Sequence, residues 1–280
     1  MDLEDVKLDC SKCDSDQFKF WGKEYTGVSM AKCRKCGLRL VHPRMNIDQL
    51  QEEVYGDHYK FETGLTFSAQ RSVANKLRYD QLSLLKVVEF NKVENPSTLD
   101  VGFGQGGFLE MAQISGFKNL TASDINDSKK DITDELNIPL IVDDITQTEM
   151  GTYDIVNAQH VLEHVPDPFE FMKAIKRCLK PGGIAHIVVP NEGGLVSRQK
   201  SFLSRIGLKK KAFKHLSPWH HLFFFEKESL KNVAEDVGFE LEYIGTRNNI
   251  KQKGLAYEAI HHLFNKLMLN THLEVVLRVK

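Results

Sequence analysis

No apolar run in the 280 residues reaches the ~18 needed for a helix to cross a bilayer, so a membrane-spanning segment is not expected. The sequence also lacks a charge excess. Lys and Arg number 37 against 38 Asp and Glu, a formal net charge of -1. That balance gives no reason to expect a nucleic-acid or membrane partner, while leaving room for a local basic patch. An apolar leader is missing too. Met1 to Asp9 is polar and acidic, which does not read as a signal peptide, so a cytoplasmic location is expected. Internal repeats and low-complexity tracts are absent. The remainder, 41% hydrophobic and 27% charged, is ordinary globular composition, long enough for one large α/β domain and a small appendage.

Cysteine is scarce, and four of the five cluster as Cys10-x2-Cys13-x19-Cys33-x2-Cys36; Cys178 stands alone in a helical pattern. Residues 1–44 form a first unit whose small core would be Phe18, Phe20, Trp21, Leu38 and Leu40. So small a core needs a staple. The spacing is that of a zinc ribbon, each Cys-x-x-Cys delivering two thiolates to one tetrahedral ion. No open coordination position is suggested, so the metal is expected to be structural. Iron fits the same donor set; disulfides or redox thiols are the non-metal alternatives.

Residues 45–65 read as a linker with a short helix at Ile47–Tyr55, followed by a long helix over 66–92 with an apolar stripe from Val73 to Val88. From Thr98 the pattern alternates. Strands are expected at Thr98–Val101, Leu120–Asp124, Leu140–Val142, Asp154–Gln159 and Ile184–Val189. Helices are expected at Phe108–Ser115, Ser128–Glu135 and Pro168–Leu179, and Lys180-Pro-Gly-Gly183 reads as a turn. Such alternation predicts a mostly parallel sheet covered on both faces. Residues 191–219 interrupt it with seven Lys and Arg and no acid after Glu192. Then follow Leu222–Phe225, a helix at Lys227–Val237, a strand near Glu240–Ile244, a helix at Ala256–Leu269 and a last strand at His272–Val279.

Leu99-Asp-Val-Gly-Phe-Gly-Gln-Gly-Gly107 joins the first of these strands to a helix. Glycine allows the tight turn and lets a ligand approach the backbone, and the helix start presents free N–H groups. Taken alone, the turn fits dinucleotide enzymes and other nucleotide-cofactor enzymes equally. Asp124, at the end of the second strand, can accept hydrogen bonds from both ribose hydroxyls of an adenosine.

The turn resembles motif I of class I S-adenosylmethionine-dependent methyltransferases. Ala122-Ser-Asp-Ile125 resembles the acidic end of their strand two, and Asp143-Asp-Ile145 their adenine-side loop. Tyr153 to Pro168 is similar to the post-strand-four motif of the ubiquinone-biosynthesis O-methyltransferase-like group, and Leu179-Lys-Pro-Gly-Gly183 to the turn before strand five. The likeness is strong over 66–190 and weak over 220–280. It implies an α/β, Rossmann-like sheet, mostly parallel with an antiparallel last strand, over 66–280, with 191–219 a basic lid-like insertion. It implies S-adenosylmethionine as cofactor, with Asp100, Gly102, Phe103 and Gly104 around the methionine end. Asp124 would take the ribose, with Ile125 against the adenine. Asp144 would accept from the adenine amine beside Ile145, and Gln159 would be a backbone contact. Arg78, with Arg71 as rival, would meet the methionine carboxylate.

An acceptor hydroxyl needs a base, and His160, His220 and His221 are the leading candidates; His164, one helical turn on, is another, with helix capping as its alternative role. Glu163 reads as structural, although the resemblance also implies a divalent-ion role. The insertion suggests a lid over an anionic small-molecule acceptor such as a nucleotide-sugar or phosphorylated intermediate, within a first reading of O- or N-methylation of a sugar, polyketide or related metabolite. Lys12, Lys19, Lys23, Lys32, Arg34, Lys35 and Arg39 make the ribbon basic, which keeps RNA methylation as an alternative. A catalytically inactive scaffold is the third reading, and the intact glycine turn and Asp124 argue against it.

Overall fold

The computed structural model describes residues 10, 13, 15–42, 74–247 and 262–280, with backbone only for 74–81. The short helix expected at 47–55, the first part of the long helix at 66–73 and residues 256–261 of the helix expected over 256–269 therefore lie outside the described residues; that last helix is present over 262–266.

Two sheets organise the described residues. The larger has seven strands: β4 (Thr98–Val101), β5 (Leu120–Asp124), β6 (Leu140–Val142), β7 (Tyr153–Gln159), β8 (Leu179–Pro190), β10 (Glu240–Arg247) and β11 (His272–Arg278). Their spatial order is β10-β11-β8-β7-β4-β5-β6. β4 pairs in parallel with β5 and β7, β5 with β6, and β7 with β8. β11 runs antiparallel to both β8 and β10, so only the last strand opposes the rest. This is the Rossmann-like sheet with an antiparallel last strand that the motifs imply. Its order reverses beside β4, where an open α/β sheet leaves a crevice at the carboxyl ends of its strands.

One face packs on α1 (Ala74–Phe90), α2 (Gly107–Ile114) and α3 (Lys130–Leu136), through Leu84, Val87, Phe108, Leu109, Ile132 and Leu136. The other packs on α4 (Pro168–Arg177) and α6 (Lys227–Asp236), through Phe169, Met172, Ile175, Leu230 and Val233. Local sequence sets these helices. Asp167 caps α4 by accepting from the Phe169 and Glu170 N–H groups, Pro168 opens it, and Lys176 and Arg177 sit at its dipole's negative end. Glu226 and Ser229 form a capping box on α6.

The expected turn at Lys180–Gly183 lies within β8 as a bulge. The register against β7 jumps from Tyr153↔Leu179 to Ile155↔Ile184. The bulge is held because Gly182 N–H donates to the Val279 carbonyl and Val279 N–H to that of Gly183, each at 3.0 Å. Tertiary pairing thus keeps in the sheet a sequence that local chemistry reads as a turn. The strand expected near Glu240–Ile244 runs on to Arg247 because β11 pairs with it throughout.

The smaller sheet has the order β1-β2-β3-β9, with β1 (Phe18–Lys23), β2 (Ser29–Cys33), β3 (Arg39–Val41) and β9 (Phe223–Phe224). Three of its strands come from the ribbon and the fourth from beyond the insertion. Phe223 and Phe225 share one core cluster with Cys10, Cys33, Leu38 and Leu40. The insertion carries a helix, α5 (Leu195–Arg205), and a 3-10 turn at Lys214–Leu216. It packs on the ribbon: Phe213 lies 6.3 Å from the Trp21 ring, and Tyr25 N–H donates to the Ala212 carbonyl.

Candidate active site and metal centre

The glycine turn sits at the carboxyl end of β4. Gly102, Gly104 and Gly106 all have φ between 59° and 70°, the left-handed region that glycine enters without cost. Gly102 is doubly constrained, since an added Cβ would lie 2.6 Å from Val161 Cγ2. Gly106 caps α2 without a side-chain hydrogen bond, so the first N–H groups of that helix face the turn unsatisfied by a side chain. The Phe103 side chain packs into the core beneath α1 and α2, so only its backbone borders the turn.

Asp124 ends β5, the neighbouring strand. Burial raises its carboxyl above the usual range, partly offset by Lys129 and by the N–H groups of Ile125 and Asn126. Ile125 is exposed beside it. After β6, Asp144 is exposed and its Oδ1 accepts from the Thr146 N–H and hydroxyl, each at 2.8 Å. Ile145 is buried in the core on the α4 side. The side chains of Arg78 and Arg71 lie outside the described residues.

Asp100 and Gln159 belong to a buried polar ladder across the sheet. Asn157 Nδ2 donates to Asp100 Oδ1 at 2.6 Å, and Asn157 Oδ1 lies 2.7 Å from His186 Nδ1. His186 Nε2 is 2.9 Å from Glu274 Oε1, which also pairs with Arg247 at 2.9 Å. Gln159 Oε1 accepts from Arg247 Nη2 and from the Ser83 hydroxyl of α1. The Gln159 side chain is thus a strut between sheet and helix.

Beyond β7 the chain turns sharply at His160, whose φ is 57°. That turn brings its Nδ1 to 3.2 Å from Glu163 Oε1. Glu163 is 1% exposed. Burial pushes its carboxyl up, but the His160 hydrogen bond and the neighbouring His164 and His160 charges outweigh this and hold it at about 2. The Leu222 and Phe223 N–H groups both donate to the Glu163 carbonyl, at 2.7 and 3.2 Å. The carbonyl of His220 lies 2.8 Å from His164 Nδ1. His221 stands edge-on to His164, ring centroids 4.9 Å apart, and burial presses its pKa to about 4. The His220 side chain is exposed. Glu163, His164 and His221 each offer a ligand atom within 4.8 Å of the others, and Glu163 Oε2 is buried without a hydrogen-bond partner among the described residues. His272, at the start of β11, meets the His160 ring edge-on at 5.0 Å. No sequence spacing announced His272; only the β8–β11 register, which pairs it with Pro190, puts it there.

The four cysteines converge. Cys10 and Cys36 Sγ are 3.4 Å apart, Cys13 and Cys33 Sγ 3.7 Å, and all four lie within 4.8 Å of one another. A tetrahedral ion with Zn–S bonds near 2.3 Å requires S···S edges of roughly 3.8 Å, so the cluster fits one. Burial raises the Cys33 thiol, but N–H groups of Cys36 and Lys35 outweigh it and bring it to about 7. No disulfide links the five cysteines.

These features sit in a sequence that matches the methyltransferase domain family over residues 71–244. The chain belongs to that family. It is 35% identical over 167 residues to a ubiquinone biosynthesis O-methyltransferase of Hydrogenovibrio crunogenus, covering 56% of this chain and 67% of the relative. A relative of the same description from Psychrobacter arcticus is 30% identical over 154 residues, covering 50% of this chain and 58% of the relative. The chain thus spans between about half and two thirds of such relatives. Among solved structures, the plantazolicin methyltransferase BpumL in complex with SAH superposes with a TM-score of 0.55 at 16% identity, over 82% of this chain and 94% of that one. By family and fold, the chain is an S-adenosylmethionine-dependent methyltransferase.

Two partly buried histidines of this methyltransferase make its stability pH-dependent. His221 is held at about 4 and His272 at about 3, in both cases chiefly by burial. The folded state therefore binds these protons less readily than the unfolded chain, whose histidines titrate near 6.5. The stabilisation is complete above pH ~6.5 and lost as pH falls through 4 and then 3. The melting temperature of the metal-free protein should fall on acidification from neutral pH, and His272→Asn should flatten that slope. An unchanged slope in the variant would rule out this role for His272.

Proposed function

We propose that the chain transfers a methyl group from S-adenosylmethionine to a hydroxyl or amine of a small-molecule acceptor of the sugar, nucleotide-sugar or similar metabolite class. The observation that carries this reading is the convergence, at the carboxyl edge of the parallel strands, of a helix start with no side-chain cap, the Asp124 carboxylate and the His160–Glu163 pair. When bound, the cofactor supplies a methyl group already activated by its sulfonium. The chain's own task is to align the acceptor and exclude water.

Asp124 would accept from the ribose hydroxyls, with Ile125 against the adenine and Asp144 at its amine. The backbone of Gly102, Phe103 and Gly104 would border the methionine end, with Asp100 bracing the turn from below. Glu163 Oε1 fixes the His160 ring through Nδ1, and Nε2 would take the acceptor's proton. His160 suits this role better than its rivals. His221 is largely buried against His164 and a weak base at about 4, and His220 contributes its carbonyl to His164. A small molecule is favoured over RNA because Trp21 of the ribbon packs on Phe213 and Phe224, not toward solvent as a stacking platform.

Calorimetry should show S-adenosylmethionine binding to the full chain, weakened at least about tenfold in Asp124→Ala. His160→Asn should retain that affinity and lose about 10²-fold in turnover on a fractionated metabolite extract. A wild-type chain that binds no cofactor would sink the reading, and binding to RNA with steep salt dependence would overturn the acceptor class.

The orphaned Glu163 Oε2 favours a second reading of the same edge: Glu163, His164 and His221 would hold a divalent cation. Such a cation would supply Lewis-acid polarisation to an acceptor oxygen. Equilibrium dialysis should find a cation site that Glu163→Gln abolishes; full occupancy in that variant would refute it.

The cysteine cluster is proposed to hold a structural zinc ion. Because Phe223 and Phe225 share its core, the metal would support the catalytic half as well. Purified protein should carry near-stoichiometric zinc, and chelation should lower the melting temperature of the whole chain in one transition. Metal-free protein of unchanged stability would remove the claim.

A further inference from the structure

Helix α5 is inside out. Its protein-facing side is lined by small hydroxyls: Ser201 Oγ lies 3.2 Å from His215 Nε2, Ser204 Oγ accepts from the Phe213 N–H at 3.0 Å, and Ser197 donates to Glu192. The opposite side carries Leu195, Phe202 and Ile206, which are 44%, 59% and 50% exposed. Residues seven and eleven apart fall within about 20° of each other at 100° per residue, so these three form one line along the solvent-facing pole. Leu208, just past the helix, is 72% exposed. A surface helix ordinarily buries its apolar stripe and wets its hydroxyls; here the order is reversed.

Cations border the stripe on one side and beyond its end. Arg198 and Arg205 lie along one flank, and Lys209, Lys210 and Lys211 follow the helix. No Asp or Glu occurs between Glu192 and Glu226, so the patch is locally basic although the chain is nearly neutral. Rigid backing comes from the ribbon, where Arg205 lies over the Trp21 ring at 5.8 Å and Lys211 over Tyr25 at 5.7 Å.

We propose that α5 and the lysines after it dock the methyltransferase on an anionic lipid surface, with Leu195, Phe202, Ile206 and Leu208 entering the headgroup–acyl boundary. An apolar stripe edged by cations matches that surface on both counts: the stripe is buried, and each cation gains from the negative surface potential. RNA would satisfy the cations and leave three aliphatic side chains wet. A second copy of this chain would oppose like charge to like.

The full chain should co-sediment with vesicles of phosphatidylcholine mixed with phosphatidylglycerol and not with pure phosphatidylcholine. Raised salt should release it. The double variant Phe202→Ser, Ile206→Ser replaces solvent-facing side chains. It should keep the wild-type melting temperature and cofactor affinity while losing vesicle binding at least about tenfold. Lys209→Glu with Lys210→Glu should do the same. Equal binding to both vesicle types, no binding to the anionic ones, or unchanged binding by the Ser variant would overturn the proposal. So would a dimer in light scattering that the Ser variant dissolves, or RNA binding that the Glu variant alone abolishes.

Discussion

The Glu163 carbonyl, receiving the N–H groups of both Leu222 and Phe223, is the joint on which the rest depends. On one side, the turn that presents it also sets His160, Glu163 and His164 at the end of β7. On the other, the segment that donates to it continues into β9, which pairs with β3 of the ribbon. A short piece of chain thus touches the reactive edge of the large sheet and completes the small one. Arg39 of β3 meets Glu226, the cap of α6, at 2.6 Å, which extends the tie into the helices behind the sheet. The ribbon is therefore structurally continuous with the large sheet, and a metal in the ribbon would act on the geometry of His221 through β3, β9 and Leu222.

That continuity gives the basic insertion a different character from a free loop. Its two ends are fixed, at Asn191 by the Thr271 carbonyl and at His220–Phe223 by the Glu163 turn, while its middle packs Phe213 against Trp21. Ser201, Ser204 and His215 knit the helix to the chain returning through the 3-10 turn. What remains exposed is the outer pole of α5, with Leu208 and Lys210 after it. An element held this firmly from within, with its apolar stripe outward, is a shaped surface more than a hinge.

Much of this was legible in the sequence, for definite reasons. The glycine turn, Asp124 and the cysteine pairs are local patterns: each owes its meaning to neighbours a few residues away, and a strand–turn–helix or a knuckle forms from short-range chemistry. The sheet followed from the alternation of apolar runs, and its antiparallel last strand from the resemblance. What escaped reading was set by long-range register. His272 reaches His160 only because β11 pairs with β8 so that its first residue meets Pro190. Phe223 and Phe224 read as part of an isolated apolar run, yet their partner is Leu40 and Arg39 of the ribbon. Lys180–Gly183 has turn composition, and only the pairing of its glycines with Val279 draws it into a strand. The polar ladder from Asp100 to Arg247 joins residues separated by most of the chain, and no periodicity could have assembled it.

The ladder explains why polar residues occupy central strands that should read as continuous apolar runs. Asp100, Asn157, His186 and Glu274 come from four adjacent strands and lie on the face covered by α1 and α2. Buried, each would cost several kcal/mol without a partner, and together they supply one another's. The chain of contacts begins directly beneath the glycine turn and ends at Arg247 and Gln159, beside the turn that carries His160. Gln159 also accepts from Ser83, so the same contacts fix α1 over this edge. A hydrocarbon core would pack these strands equally well but would tolerate small slips of one strand on another. Directional hydrogen bonds across four strands penalise such slips, and in-line methyl transfer is sensitive to misplacements of that size. The ladder is thus best understood as what holds the cofactor edge and the acceptor edge of the sheet at a constant spacing.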